Sequence, residues 1–212
     1  VFFADGRISV RNGDCVRPVL SADEIAIPGV HNIENYMAAV AAVDGLVSDE
    51  VIREVAASFS GVEHRIELVR EVHGVKYYND SIASSPTRTI AGLRSFRQKV
   101  ILIAGGKDKN IDYAPLGPEI VQHVRFLILT GGDVIGSTVP KICAAVLNAP
   151  EYDSVALPIL LIDDFEEAVR AAAAQASEGD VVLLSPASTS FDKFSNFMER
   201  GKTFKAVVNH LE

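Results

Sequence analysis

The chain has 212 residues, 48% of them apolar and none of them Trp, which is enough for one full domain with a sizeable core and further material besides. A net charge of −8 and a pI near 5.1, with no basic stripe, argue against nucleic acid or an anionic membrane surface as partner. No apolar run approaches the roughly 20 residues of a membrane helix, and the two distant cysteines, Cys15 and Cys143, fit no metal or redox spacing and suit reduced thiols in the cytoplasm.

The chain opens on "VFFADGRISV", which reads at once as strand, Asp5-Gly6 turn and strand. Val1 is not a methionine, no charged segment of a signal peptide precedes the hairpin, and a start in mid-hairpin is expected of a piece of something longer. A second turn signal stands at Asn12-Gly13. "HNIENYMAAVAAVDGL" then places Ile33, Met37, Val40 and Ala41 at helical spacing, with Gly45 as its end. "SDEVIREVAASF" predicts a second helix with Ser48 as N-cap. Residues 1–62 hold too few strands for an independent core and are expected to be the tail of a preceding domain.

Residues 63–212 have a different rhythm. "HRIELVREVHGVKYYND" predicts two strands joined at His73-Gly74, and four apolar runs follow: "KVILIAGG", "RFLILTGG", "PILLID" and "DVVLLSPAS". These runs are near-continuous rather than alternating, as in parallel strands buried on both faces. Helical patterns separate them: "SPTRTIAGLRSF", "LGPEIVQHV", "STVPKICAAVLNA", "FEEAVRAAAAQASEG" and finally "FDKFSNFMERGKTFKAVVNHLE". Strand-helix alternation at this spacing predicts an α/β fold, a doubly wound, mostly parallel sheet, whose ligands bind at the carboxyl ends of the strands.

Those strand ends are chemically distinctive. Asn79, Asp80 and Ser81 follow the second strand; Gly105, Gly106, Lys107, Asp108 and Lys109 follow "VILIA"; Gly131 and Gly132 follow "FLILT"; Pro186, Ala187, Ser188, Thr189 and Ser190 follow "VVLLS". Glycines, hydroxyls, two lysines and helix N-termini at one sheet edge suit a carboxylate or a phosphate. Taken singly, each has a local explanation: a turn for Gly105-Gly106, a cap and first-turn proline for Ser84, Ser85 and Pro86, a capping acid for Asp80, a solvated Lys109. "RGKT" at 200–203 imitates the end of a phosphate loop, but Asn196 occupies the place of its first glycine and the stretch lies in a helical pattern. The five histidines form no metal pattern, and a local structural role is expected of His64.

Taken together, "GVHNIENYMAA", "HRIELV", "YYNDSIASSPT", "LIAGGKDKN" and "LLSPASTSFDKFSNFMERGKTF" resemble the Mur ligase family, over nearly the whole chain from Gly29 onward. The resemblance implies the end of a central ATP-binding domain (1–62) joined to a Rossmann-like C-terminal domain (63–212), within an enzyme whose first two domains supply the phosphate loop, the Mg2+ ligands and a nucleotide-sugar site. It implies an ATP-dependent cytoplasmic ligase of peptidoglycan synthesis. Such an enzyme activates the carboxylate of UDP-N-acetylmuramoyl-L-alanine as an acyl phosphate, which the amine of D-glutamate attacks. By matching motif, Asn35 would contact adenine, Arg65 the ATP phosphates and ribose, and Asp80 the ribose hydroxyls. Ser84, Lys109, Ser190 and the backbone around Phe197 would hold D-glutamate. Ile82 stands where some relatives carry lysine; either another lysine such as Lys107 substitutes or the contact is dispensable. Two alternatives stay open: another Mur-type or folylpolyglutamate-type ligase, and a non-catalytic module that binds an acidic ligand.

Overall fold

The computed structural model describes residues 1–27, 29–131 and 136–212, apart from the side chain of His31. Contacts divide the chain into two units, Val1–Gly61 and Val62–Glu212.

In the first unit, β1 (Phe2–Ala4), β2 (Arg7–Asn12) and β3 (Cys15–Ser21) form an antiparallel meander. Its turns fall at Asp5-Gly6 and Asn12-Gly13, where the glycines have φ of 73° and 61°, a region an L side chain rarely enters. Two helices follow, α1 (Val30–Val43) and α2 (Asp49–Ser58). Ser48 is the N-cap residue of α2, but its side chain makes no capping bond. Ile8, Val10, Val19, Leu20, Val40, Ile52 and Ala56 are buried together. The few strands expected here thus do gather a small apolar cluster, because two amphipathic helices complete it.

The second unit is built on a six-stranded sheet. Its strands are β4 (Glu67–Val72), β5 (Val75–Asn79), β6 (Val100–Ala104), β7 (Val124–Leu129), β8 (Ile159–Leu161) and β9 (Val181–Leu184), in the order β4-β5-β9-β6-β7-β8. Only β4 is antiparallel to its neighbour; β5, β9, β6, β7 and β8 run parallel. The helices are α3 (Pro86–Leu93), α4 (Leu116–His123), α5 (Val139–Leu147), α6 (Phe165–Ala174) and α7 (Phe197–Asn209).

The uninterrupted apolar strands explain themselves in this sheet. Val100, Leu102 and Ala104 of β6 pack with α3, α4 and α5, while Ile101 and Ile103 pack with α6 and α7. Successive side chains point to opposite faces, and both faces are covered, so every position must be apolar. The exception is β8. It lies at the sheet edge, and Leu160 and Leu161 are 36% and 60% exposed.

The last helix is shorter than its pattern predicts. Phe191 to Ser195 are turns and bends, and α7 begins at Phe197. Asn196 stops the helix from starting earlier: it is extended (φ −164°, ψ 171°) and its side chain accepts from the Glu199 N–H, a local bond that favours a cap over a helix interior.

Candidate functional site

Because β5, β6, β7 and β9 are parallel, their carboxyl ends share one edge of the sheet, and the loops that follow them are stitched together there. The Gly105 N–H donates to the Pro186 carbonyl (2.9 Å), the Lys107 N–H to the Thr189 carbonyl (3.0 Å) and the Thr138 N–H to the Gly106 carbonyl (2.9 Å). This packing requires glycine. A Cβ on Gly105 would stand 2.0 Å from the Thr130 carbonyl oxygen, and one on Gly106 2.4 Å from that of Thr189, with φ of 116° and 136°. The pair is therefore explained by close loop contact. Two hydroxyls of "SPASTSF" are likewise used within the loops: Ser188 donates to the Pro186 carbonyl and Thr189 to that of Lys107. Ser190 is 3% exposed, and its carbonyl accepts from the Lys193 and Phe194 N–H groups. Gly132 lies outside the described residues.

Of the residues singled out for amino-acid binding, two meet directly. Lys109 is exposed after β6, and its Nζ donates to Ser84 Oγ, before α3, at 3.2 Å. Among the described residues that neutral hydroxyl is its one hydrogen-bond partner, which leaves a flexible ammonium available to a carboxylate. Lys107, the other lysine of this loop, is also exposed. Phe197 opens α7, and its carbonyl accepts from Ser81 Oγ at 2.7 Å. The first-turn N–H groups of that helix face no carbonyl within it.

Asp80 is more enclosed than a ribose ligand is expected to be. It is 3% exposed. Its Oδ2 accepts from Ser185 Oγ (2.8 Å) and its Oδ1 from the Ile66 N–H (3.3 Å). Burial pushes its carboxyl up to about 7, against the opposing effects of Ser185, the Ile66 N–H, Arg65 and Arg88. Each carboxylate oxygen retains acceptor capacity beyond its one partner. Arg65 is exposed and, with Arg88, is one of two guanidinium charges acting on Asp80. Cations beside an acceptor suit a polyphosphate and its sugar, so these residues fit a nucleotide. In the first unit, Asn35 is exposed on α1 and donates to Asn32 Oδ1 at 3.2 Å.

Glu63, His64 and Glu67 bring their ligand atoms within 4.8 Å of one another, the one metal-capable group among the described residues. They do not fit a divalent ion. Lys205 Nζ already bonds Glu63 (3.1 Å) and Glu67 (2.5 Å). His64 is buried, its Nδ1 2.8 Å from Asn79 Nδ2. Its ring packs so closely on α7 that a Cβ on Gly201 would stand 2.3 Å from Nδ1. Burial lowers the His64 pKa, so its place is structural.

Sequence reasoning missed Arg200, which is buried beneath this edge, and Ser185, which holds Asp80. Arg200 was legible as a charge on the apolar face of α7, four residues before Phe204 and eight before Val208.

With this geometry in view, the comparisons with known proteins converge. Residues 64–188 match the family model described as "Mur ligase, glutamate ligase domain". The chain belongs to the Mur ligase family. It is 55% identical over 210 residues to a UDP-N-acetylmuramoylalanine–D-glutamate ligase of Acetivibrio thermocellus, covering 98% of this chain and 44% of that protein. It is 50% identical over 214 residues to the enzyme so named from Ruminiclostridium cellulolyticum, covering 100% and 45%. The chain thus spans less than half the length of these relatives. Among solved structures, E. coli FolC in complex with ADP superposes with a TM-score of 0.65 at 17% identity, covering 98% of this chain and 46% of that one. Thermotoga maritima UDP-N-acetylmuramate–alanine ligase MurC does so with 0.62 at 16%, covering 87% and 39%. At such identities the likeness is one of fold.

Proposed function

We propose that this chain is the C-terminal portion of a cytoplasmic ligase that joins D-glutamate to UDP-N-acetylmuramoyl-L-alanine in peptidoglycan synthesis, and that its second unit delivers the amino acid. The observation that carries this reading is the meeting of Lys109 with Ser84 at 3.2 Å, a cation with no acidic partner among the described residues at a hydroxyl-bearing sheet edge. Lys109 and Ser84 bind one carboxylate of D-glutamate. Ser190 and the backbone at Phe197 hold the other end, so the amine is presented in one orientation. Positioning of this kind, with fixed charge beside the developing oxyanion, is the main catalytic contribution available to such a domain.

Arg65 and Asp80 are assigned to the phosphates and ribose of ATP, and Asn35 to adenine. When bound, ATP would supply the phosphoryl group that activates the acceptor carboxylate. The chain has no G-x-x-x-x-G-K-[ST] loop of its own. That loop, the Mg2+ ligands and the nucleotide-sugar site are assigned to the part of the relatives' length that this chain does not span. Residues 1–62 and 63–212 are accordingly read as the end of the central domain and the whole C-terminal domain. In this reading the chain alone does not turn over ATP.

Lys109→Met tests the assignment. D-glutamate should bind at least about tenfold more weakly, the cost of losing one charge-assisted contact, with the remaining amide spectrum unchanged. Unaltered affinity would remove Lys109 from the site.

A further inference from the structure

Arg200 sits on the buried face of α7 with Phe204, Val207 and Val208, and is 3% exposed. Its guanidinium ties strand ends together. Nε donates to Ser81 Oγ (3.1 Å), and Nη2 donates to the carbonyls of Ser81 (2.9 Å) and Ser188 (3.1 Å). Ser81 Oγ passes the connection on to the Phe197 carbonyl. Nη1 is buried with no hydrogen-bond partner among the described residues and faces the loop after β6, where a Cβ on Gly106 would stand 3.4 Å away. Arg200 makes no ion pair among the described residues. Asp192 is the one acid that acts on it, and burial lowers its pKa to about 10 in spite of that acid.

These bonds account for Nε and Nη2 as a structural tie, but they leave Nη1 without a hydrogen-bond partner and the net charge without an ion-pair partner among the described residues, and a buried ionised group without a partner is costly. The charge is explained if a negative ligand arrives above it. The loops it bonds or touches are those that carry Ser84, Lys109, Ser190 and Phe197.

We propose that Arg200 is a positioning residue for a dicarboxylate. Through Ser81, Ser188 and the Phe197 carbonyl it fixes the loops that hold the amino acid, and its buried charge, which Asp192 offsets only in part, makes this edge prefer a substrate with two carboxylates to one with a single carboxylate. The inference rests on reading this edge as the D-glutamate site.

The test compares the wild-type chain with Arg200→Met and Arg200→Lys, titrated with D-glutamate and with D-glutamine, which lacks the second charge. Arg200→Met should reduce the preference for D-glutamate about tenfold, as expected for removal of one poorly screened charge. Arg200→Lys should keep most of it. Equal loss for both ligands, or no loss, would make Arg200 a structural tie and overturn the proposal. If Arg200→Met does not fold, the wild-type Arg200 Nε–H resonance serves instead. It should move with D-glutamate more than with D-glutamine, and its silence while amides near Lys109 respond would equally overturn the proposal. A wild-type chain that binds neither ligand overturns the functional reading and this proposal together, whereas binding indifferent to Arg200 overturns the proposal alone.

Discussion

At the scale of single residues, burial and charge conflict most directly at Asp80. The carboxyl is 3% exposed and raised from 3.8 to about 7 by desolvation, which Ser185 and the Ile66 N–H offset only in part. The folded-state value lies above the unfolded one, so the native state holds the extra proton. The penalty is absent below about pH 4 and complete above about pH 7, and stability falls as pH rises between them. Asp80→Asn removes that penalty. Measured by urea unfolding, the variant should gain about 1–3 kcal/mol on the wild type between pH 5 and pH 8. Buried His64, which titrates in the opposite sense, cancels in the difference. In the wild type the Asp80 carboxyl carbon should titrate near 7 by NMR. A midpoint near 4 would mean that water reaches the group. The identity of this residue as a strand-end acid was legible in "YYNDSIASS". Its enclosure was not, because Ser185 lies 105 residues away in sequence.

At the scale of elements, the second unit is held by strands buried on both faces. Leu102 and Ile103 are 0% exposed and belong to opposite layers. Truncation of either to alanine should cost about 2–5 kcal/mol, since neither face has room to collapse. Leu161→Ala on β8, where the side chain is 60% exposed, should cost under about 1 kcal/mol. Equal losses at Leu102 and Leu161 in a denaturant series would contradict the edge position of β8. The unbroken apolar runs made the parallel sheet readable from sequence. They did not reveal that "PILLID" ends at the edge, because strand order depends on where crossovers land and not on local pattern. The start of α7 was obscured for a related reason. Phe191, Phe194 and Phe197 repeat every three residues and imitate a helix, and Asn196 shows itself as the cap only through its bond to the Glu199 N–H.

At the scale of the whole molecule, each unit is proposed to belong to a different domain of a longer ligase, with amino-acid selection proposed to lie in residues 62–212. Lys109, Ser84, Ser190 and Phe197 all belong to that unit, so the proposed recognition of D-glutamate can be tested on this chain by itself. An ammonium, hydroxyls and helix N–H groups held on fixed loops form a chiral array, and it should accept one enantiomer of a dicarboxylic amino acid and misplace a carboxylate of the other. The most direct measurement is an amide NMR titration of the chain with D-glutamate and, separately, with L-glutamate. Shifts confined to the surroundings of Ser84, Lys109, Ser190 and Phe197, produced by D-glutamate and not by L-glutamate, are the predicted result. Stronger shifts with L-glutamate, or a response centred elsewhere on the chain, would contradict the account.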